Sequence, residues 1–136
     1  MNASNLSDKI NLEYLFKGLI QAFPELKNVT VWNSDLSQTS LFKTFADLKK
    51  KLRGIQLCAC NIGDNFAFQI SSLEFSCLEQ IRLLSNPISN RGVNLLIKME
   101  LPLLKILLLD DTNITSDIFK SFKKLVSPNM VSFDLS

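Results

Sequence analysis

The chain has 136 residues, 46% of them hydrophobic, with a mean hydropathy of +0.15 and a formal net charge of +2. That length and composition suit one domain with a continuous core. So small and mixed a charge argues against nucleic acid as the default partner. There is no histidine, which excludes most Ser-His, Cys-His and metal–imidazole chemistry. The four glycines are not clustered, so no phosphate-cradling loop is present. The longest apolar run, Leu101 to Leu109, is interrupted by Lys105 and is far too short to span a bilayer. The start, MNASNLSDKINLEYLF, has neither the basic opening nor the apolar run of a secretory signal, and contains Asp8 and Glu13 but no Arg. Cys58, Cys60 and Cys77 make an odd count without a dense framework. Free thiols in a reducing, intracellular and cytoplasmic setting are therefore expected. The C-x-C at Cys58 and Cys60 has no second pair to complete a metal site.

In chain order, residues 1–7 are polar and expected to be loose. From about Asp8 to Phe23, apolar residues at Leu12, Leu15, Phe16, Leu19, Ile20 and Phe23 form one helical stripe, which Pro24 ends. A frame L-x-x-L-x-L-x-x-N-x-I follows and recurs. It is clearest at Leu78, Ile81, Leu83, Asn86 and Ile88. Earlier copies run through Leu26, Val29, Val31, Ser34, Leu36 and through Leu52, Ile55, Leu57, Cys60, Ile62. Later ones run through Leu104, Leu107, Leu109, Thr112, Ile114 and finally Met130, Phe133, Leu135. The first position falls at 26, 52, 78, 104 and 130, a period of 26 without insertion.

Each unit predicts a short strand, a turn rich in Ser, Thr, Asn and Asp that caps a helix, and a helix of about ten residues. Pro102 and Pro128 close two helices in phase with Pro24. Leu41, Ala67, Val93 and Phe119 share one helical phase; so do Ile70, Leu96 and Phe122, and Leu73, Met99 and Leu125. In the first unit Thr44 and Asp47 hold the apolar slots, so Phe45 and Leu48 are expected inside and that helix rotated or shifted. The cluster Lys49-Lys50-Lys51 with Arg53 reads as a solvated helix end. Ala3 and Asn5 occupy slots that should be apolar one period before Val29 and Val31, so no complete earlier repeat is expected. Residues 1–25 are then an N-terminal capping helix and 26–136 the repeats, four full units plus a final strand. Because that strand cuts a repeat in the middle, a segment of a longer protein is expected, with a cap supplied by a partner as the alternative.

These units resemble the leucine-rich repeat family, and the Ser34, Cys60, Asn86, Thr112 column is similar to its cysteine-containing subclass, known from F-box-type proteins. Only Cys60 is a cysteine in that column, Cys77 lies elsewhere, and no F-box-like segment precedes the repeats. The resemblance implies an α/β fold: a right-handed leucine-rich repeat solenoid with a parallel strand face and helices on the opposite side. Side chains of the column would then bond to the turn backbone.

The resemblance also implies that the exposed strand face, usually concave, binds partners. The outward positions are Thr30, Gln56, Arg82, Leu108, Asp134, then Trp32, Cys58, Leu84, Asp110, Ser136, then Asn28, Gly54, Gln80, Ile106, Ser132. Trp32, Gln56, Cys58, Arg82, Leu84, Ile106, Leu108 and Asp110 are the expected contacts, because an aromatic, an Arg and an apolar strip compose a protein hot spot. A non-catalytic interaction or scaffold subunit is the leading expectation. The substrate-recognition part of a ubiquitin-ligase-type adaptor is the alternative, and RNA binding through Arg82, Trp32 and Lys49 to Arg53 is a lesser one. Catalysis, a cofactor, a small-molecule substrate and a membrane span are not expected, since Asp110-Asp111 makes no acid/base pair in a pocket.

Overall fold

Alternation along short apolar segments dictates strands with one buried side, and strands of that kind appear at a constant interval. A computed structural model describes residues 2–4, 12–118 and 132–134. One sheet holds β1 (Asn2–Ser4), β2 (Asn28–Trp32), β3 (Gly54–Cys58), β4 (Gln80–Arg82), β5 (Ile106–Leu108) and β6 (Ser132–Asp134) in chain order. Every neighbouring pair is parallel. Parallel neighbours require crossovers. Four of them contain helices: α1 (Leu12–Ala22), α2 (Phe42–Leu48), α3 (Asp64–Ser71) and α4 (Asn90–Ile97). A short 3-10 turn, Ser116–Ile118, follows β5. The chain is an α/β protein built on a parallel sheet.

The register matches the sequence period. Thr30 pairs with Gln56, Gln56 with Arg82 and Arg82 with Leu108, each 26 residues on. Val31 and Leu57 pair directly, and Leu83 and Leu109 follow just past β4 and β5 at the same interval. All four are fully buried, as are Val29, Ile55, Ile81 and Leu107. They join the helix residues Leu41, Phe45, Ala67, Ile70, Val93 and Leu96 in one core cluster.

Three expectations need correction. Asn2–Ser4 is a strand, paired with β2 through Asn2 and Thr30, Ala3 and Val31, Ser4 and Trp32. Its offset of 28 residues departs from the period. Backbone pairing needs no apolar side chain, and it occupies an edge of β2 that would otherwise be open. Phe23 is 58% exposed because α1 ends at Ala22 and the stripe of half-buried Leu15, Leu19 and Ile20 no longer governs its direction. Helices α2 to α4 span seven or eight residues rather than about ten, since the turns before them are long.

In α2 the inward places are taken as expected by the residues one position later. Phe45 and Leu48 are buried, Asp47 is exposed, and Thr44 is also largely covered. Phe45 meets the edges of Phe66 and Phe75 at centroid distances of 6.1 and 6.5 Å, contacts that fix it between units. The basic cluster follows α2: Lys50, Lys51 and Arg53 are exposed, and Lys51 reaches Glu25 at 2.6 Å. That hydrogen bond and charge hold the Glu25 carboxyl below its ordinary value. Phe119, Phe122, Leu125, Pro128, Met130, Leu135 and Ser136, like Asn5 and Asp8, lie outside the described residues.

Leu83 occupies the centre of the inward column, so Leu83→Ala is expected to lower unfolding free energy by about 2–5 kcal/mol. Denaturant titration followed by circular dichroism checks this. A loss under about 1 kcal/mol would contradict the inward register.

Candidate partner-binding face

Because inward positions alternate with outward ones, the same register that builds the core sets out a second array of side chains. Thr30, Gln56, Arg82 and Leu108 form one outward row. Trp32 and Cys58 are direct partners in the next. Main-chain bonds extend that row beyond the strands: Asn33 N–H donates to Cys58 C=O at 3.0 Å, Ala59 N–H to Leu84 C=O at 2.9 Å, and Ser85 N–H to Asp110 C=O at 3.0 Å. Trp32, Cys58, Leu84 and Asp110 therefore follow one another at about 5 Å per strand. Ile106 pairs with Gln80 in the third row.

Trp32 is 40% exposed, and the other seven expected contacts are half-exposed. The structure thus brings all eight onto one side of the sheet. Arg82 makes no ion pair among the described residues. It shares a row with Leu108 and borders the row that holds Leu84, where an incoming carboxylate would meet a fixed fork of donors. Among the described residues, no group of three or more His, Cys, Asp or Glu side chains is placed to hold a metal ion.

The turns behind this face are held by the buried column. Asn86 Nδ2 donates to Leu57 C=O at 2.7 Å and to Leu84 C=O at 3.0 Å. Its Oδ1 accepts from Cys60 N–H at 2.9 Å and Ile62 N–H at 3.4 Å. One carboxamide so satisfies two donors and two acceptors that face apolar surroundings. Cys60 repeats the donor half one unit earlier, its thiol reaching Val31 C=O at 3.3 Å and Cys58 C=O at 3.2 Å. Burial pushes the Cys60 thiol up to about 11, against the backbone hydrogen bond from Ser34. Ser34 Oγ donates to Trp32 C=O and Thr112 Oγ1 to Leu109 C=O.

Two features escape sequence inspection. Asn33, Ala59, Ser85 and Asp111, each immediately after an outward row member, have φ between 50° and 54°, and Asn61 adds a second left-handed residue to its unit. Of these, Asn33, Asn61 and Asp111 are residue types that signal such a turn, whereas Ala59 and Ser85 are not. The second feature is capping between units. Asp64, at the start of α3, accepts from Ser89 N–H at 2.9 Å, Gly92 N–H at 3.1 Å and Ser89 Oγ at 2.5 Å, so it serves the start of α4. A Cβ at Gly92 would collide with that carboxylate, which explains the glycine. Asn90 does the same for Thr115 N–H at 2.9 Å. Turn residues of these types are expected to cap their own helices, and Ser89 does so for Arg91 N–H.

No family model matches the chain. No curated protein matches it either. No helix among the described residues is long and apolar enough to cross a membrane.

Two outcomes test the column. Asn86→Ala removes four hydrogen bonds to the main chain, those to Cys60 N–H, Ile62 N–H and Leu57 C=O being buried, and is expected to cost about 2–4 kcal/mol in denaturant titration, with Cys60→Ser costing less. The neutral Cys60 thiol is favoured by the fold, with a pKa raised from 9.0 to about 11. Its contribution to stability is complete below pH 9 and is lost as pH rises towards 11. Compared with Cys60→Ser, the native chain is expected to lose extra stability across that interval.

Proposed function

We propose that this chain is a leucine-rich repeat solenoid acting as a non-catalytic interaction or scaffold module, gripping another protein with its exposed strand face. The observation that supports the reading most directly is the row Trp32, Cys58, Leu84, with the unpaired Arg82 in the neighbouring row. A half-exposed indole held on a parallel sheet loses little freedom when a partner covers it, which lowers the ordering cost of association. Trp and Arg are the residue types that dominate such contacts once water is excluded. Asp110, at the far end of the same row, supplies an opposite charge that sets a partner's direction. The regular 26-residue register favours the repeat assignment, because doubly wound βαβ units are longer and vary in length.

A ligase-type adaptor uses the same face to read a substrate, and no separate observation favours it. RNA binding is weaker as a reading, since Asp110 and Asp111 stand at one end of the face.

Given a partner recovered with the full chain, Trp32→Ala and Arg82→Ala are each expected to weaken the complex by more than about 1 kcal/mol with the far-ultraviolet spectrum unchanged. Calorimetric titration checks this. Equal affinity in both variants would reject the strand face as the contact.

A further inference from the structure

The strand face is not the most exposed apolar part of the molecule; the helix side is. Phe68 on α3 is 68% exposed and Tyr14 on α1 is 76% exposed. Phe42, one period before Phe68 and on the adjacent helix, is 39% exposed. None of the three is needed for the core, which already takes Leu41, Phe45, Ala67 and Ile70 from α2, α3 and the residue before α2. Between α1 and α2 runs a groove of about 490 Å³ whose walls include Tyr14, Lys17, Ile20, Lys43, Thr44 and Asp47. Lys17 and Lys43 make no ion pair among the described residues. With Asp47 counted, the groove keeps an excess of positive charge, and Lys50 adds to it just past the end of α2. Arg91 and Lys98 continue the exposed basic positions onto and just past α4, against Glu74 and Glu100.

We propose that the helix side docks on an anionic lipid surface, with an acidic headgroup in the α1–α2 groove between Lys17 and Lys43 and the rings of Tyr14, Phe42 and Phe68 in the interfacial layer. Two observations favour lipid over an acidic protein. Phe42 and Phe68 stand outside the groove rather than lining a slot, whereas protein hot spots sit in packed pockets. Aromatic rings beside lysines match the interfacial zone of a bilayer, where rings lie at headgroup level and cations meet anionic lipid. A shallow docking of this kind needs no spanning helix. This face is separate from the strand face, so both could be occupied at once.

The test is co-sedimentation of the full chain with phosphatidylcholine vesicles, alone or with about one-third phosphatidylserine. Partition into the anionic vesicles is expected to exceed that into the neutral ones at least about tenfold and to fall with added salt. The double variant Lys17→Ala, Lys43→Ala is expected to lose about thirtyfold, near a factor of five per lysine. Phe68→Ala, an exposed position, weakens partition while leaving the far-ultraviolet spectrum intact, and Trp32→Ala changes nothing. Equal partition into both vesicle types, or no loss in the lysine variant, would overturn the proposal. Binding to soluble polyglutamate without binding to vesicles would also overturn it, in favour of an acidic protein.

Discussion

The carboxamide of Asn86 carries the constraint on which the neighbouring structure depends. A parallel strand that turns sharply away from its sheet leaves main-chain groups facing an apolar interior, where each unmade hydrogen bond is costly. Asn86 meets two carbonyls and two N–H groups, using its full capacity. The Cys60 thiol reaches two carbonyls, while Ser34 and Thr112 each bond to one through their hydroxyls. Side-chain support for the turns is therefore densest near the middle of the sheet. The carbonyls it secures lie at or just past the ends of adjacent strands, so the same bonds keep the strand ends in register.

Neighbouring units are joined again at the other end of each turn. Asp64 reaches across to Ser89 and Gly92, and Asn90 reaches across to Thr115. Helices of seven or eight residues are marginal by themselves in water. Here Asp64 of the unit before meets the N–H groups at the start of α4, and buried faces are shared between units through contacts such as Phe45 with Phe66. Such coupling ties the order of one unit to its neighbours, as in arrays whose stability is a sum of nearest-neighbour terms.

Register also determines what remains outside. Once Leu57, Leu83 and Leu109 point inward, Gln56, Arg82 and Leu108 must point outward, on a backbone too well bonded to rearrange. The two proposed surfaces differ in kind for that reason. The strand side presents an indole, an unpaired guanidinium and short apolar groups on rigid main chain. The helix side presents protruding rings and flexible lysines around the α1–α2 groove. A module with both would join a protein partner to an anionic surface.

Much of this arrangement is readable from spacing alone. A repeat of 26 makes positions equivalent, so the burial of Val31, Leu57, Leu83 and Leu109 and the outward rows through Trp32 and Arg82 follow from alternation. Even the burial of Phe45 and Leu48 in α2 is visible in the polar residues Thr44 and Asp47 that hold the usual apolar slots. Tertiary structure decided the rest. Ala59 and Ser85 take left-handed backbone because their turns are closed by main-chain bonds to the next unit, not because of their own residue type. Ser4 pairs with Trp32 because an open strand edge was available, Asp64 caps a helix that begins more than twenty residues later, and Lys17 faces Lys43 across a groove. Periodicity describes what each residue shares with its equivalents. These features depend instead on which atoms of different units come within reach of one another, a matter settled only when the chain packs.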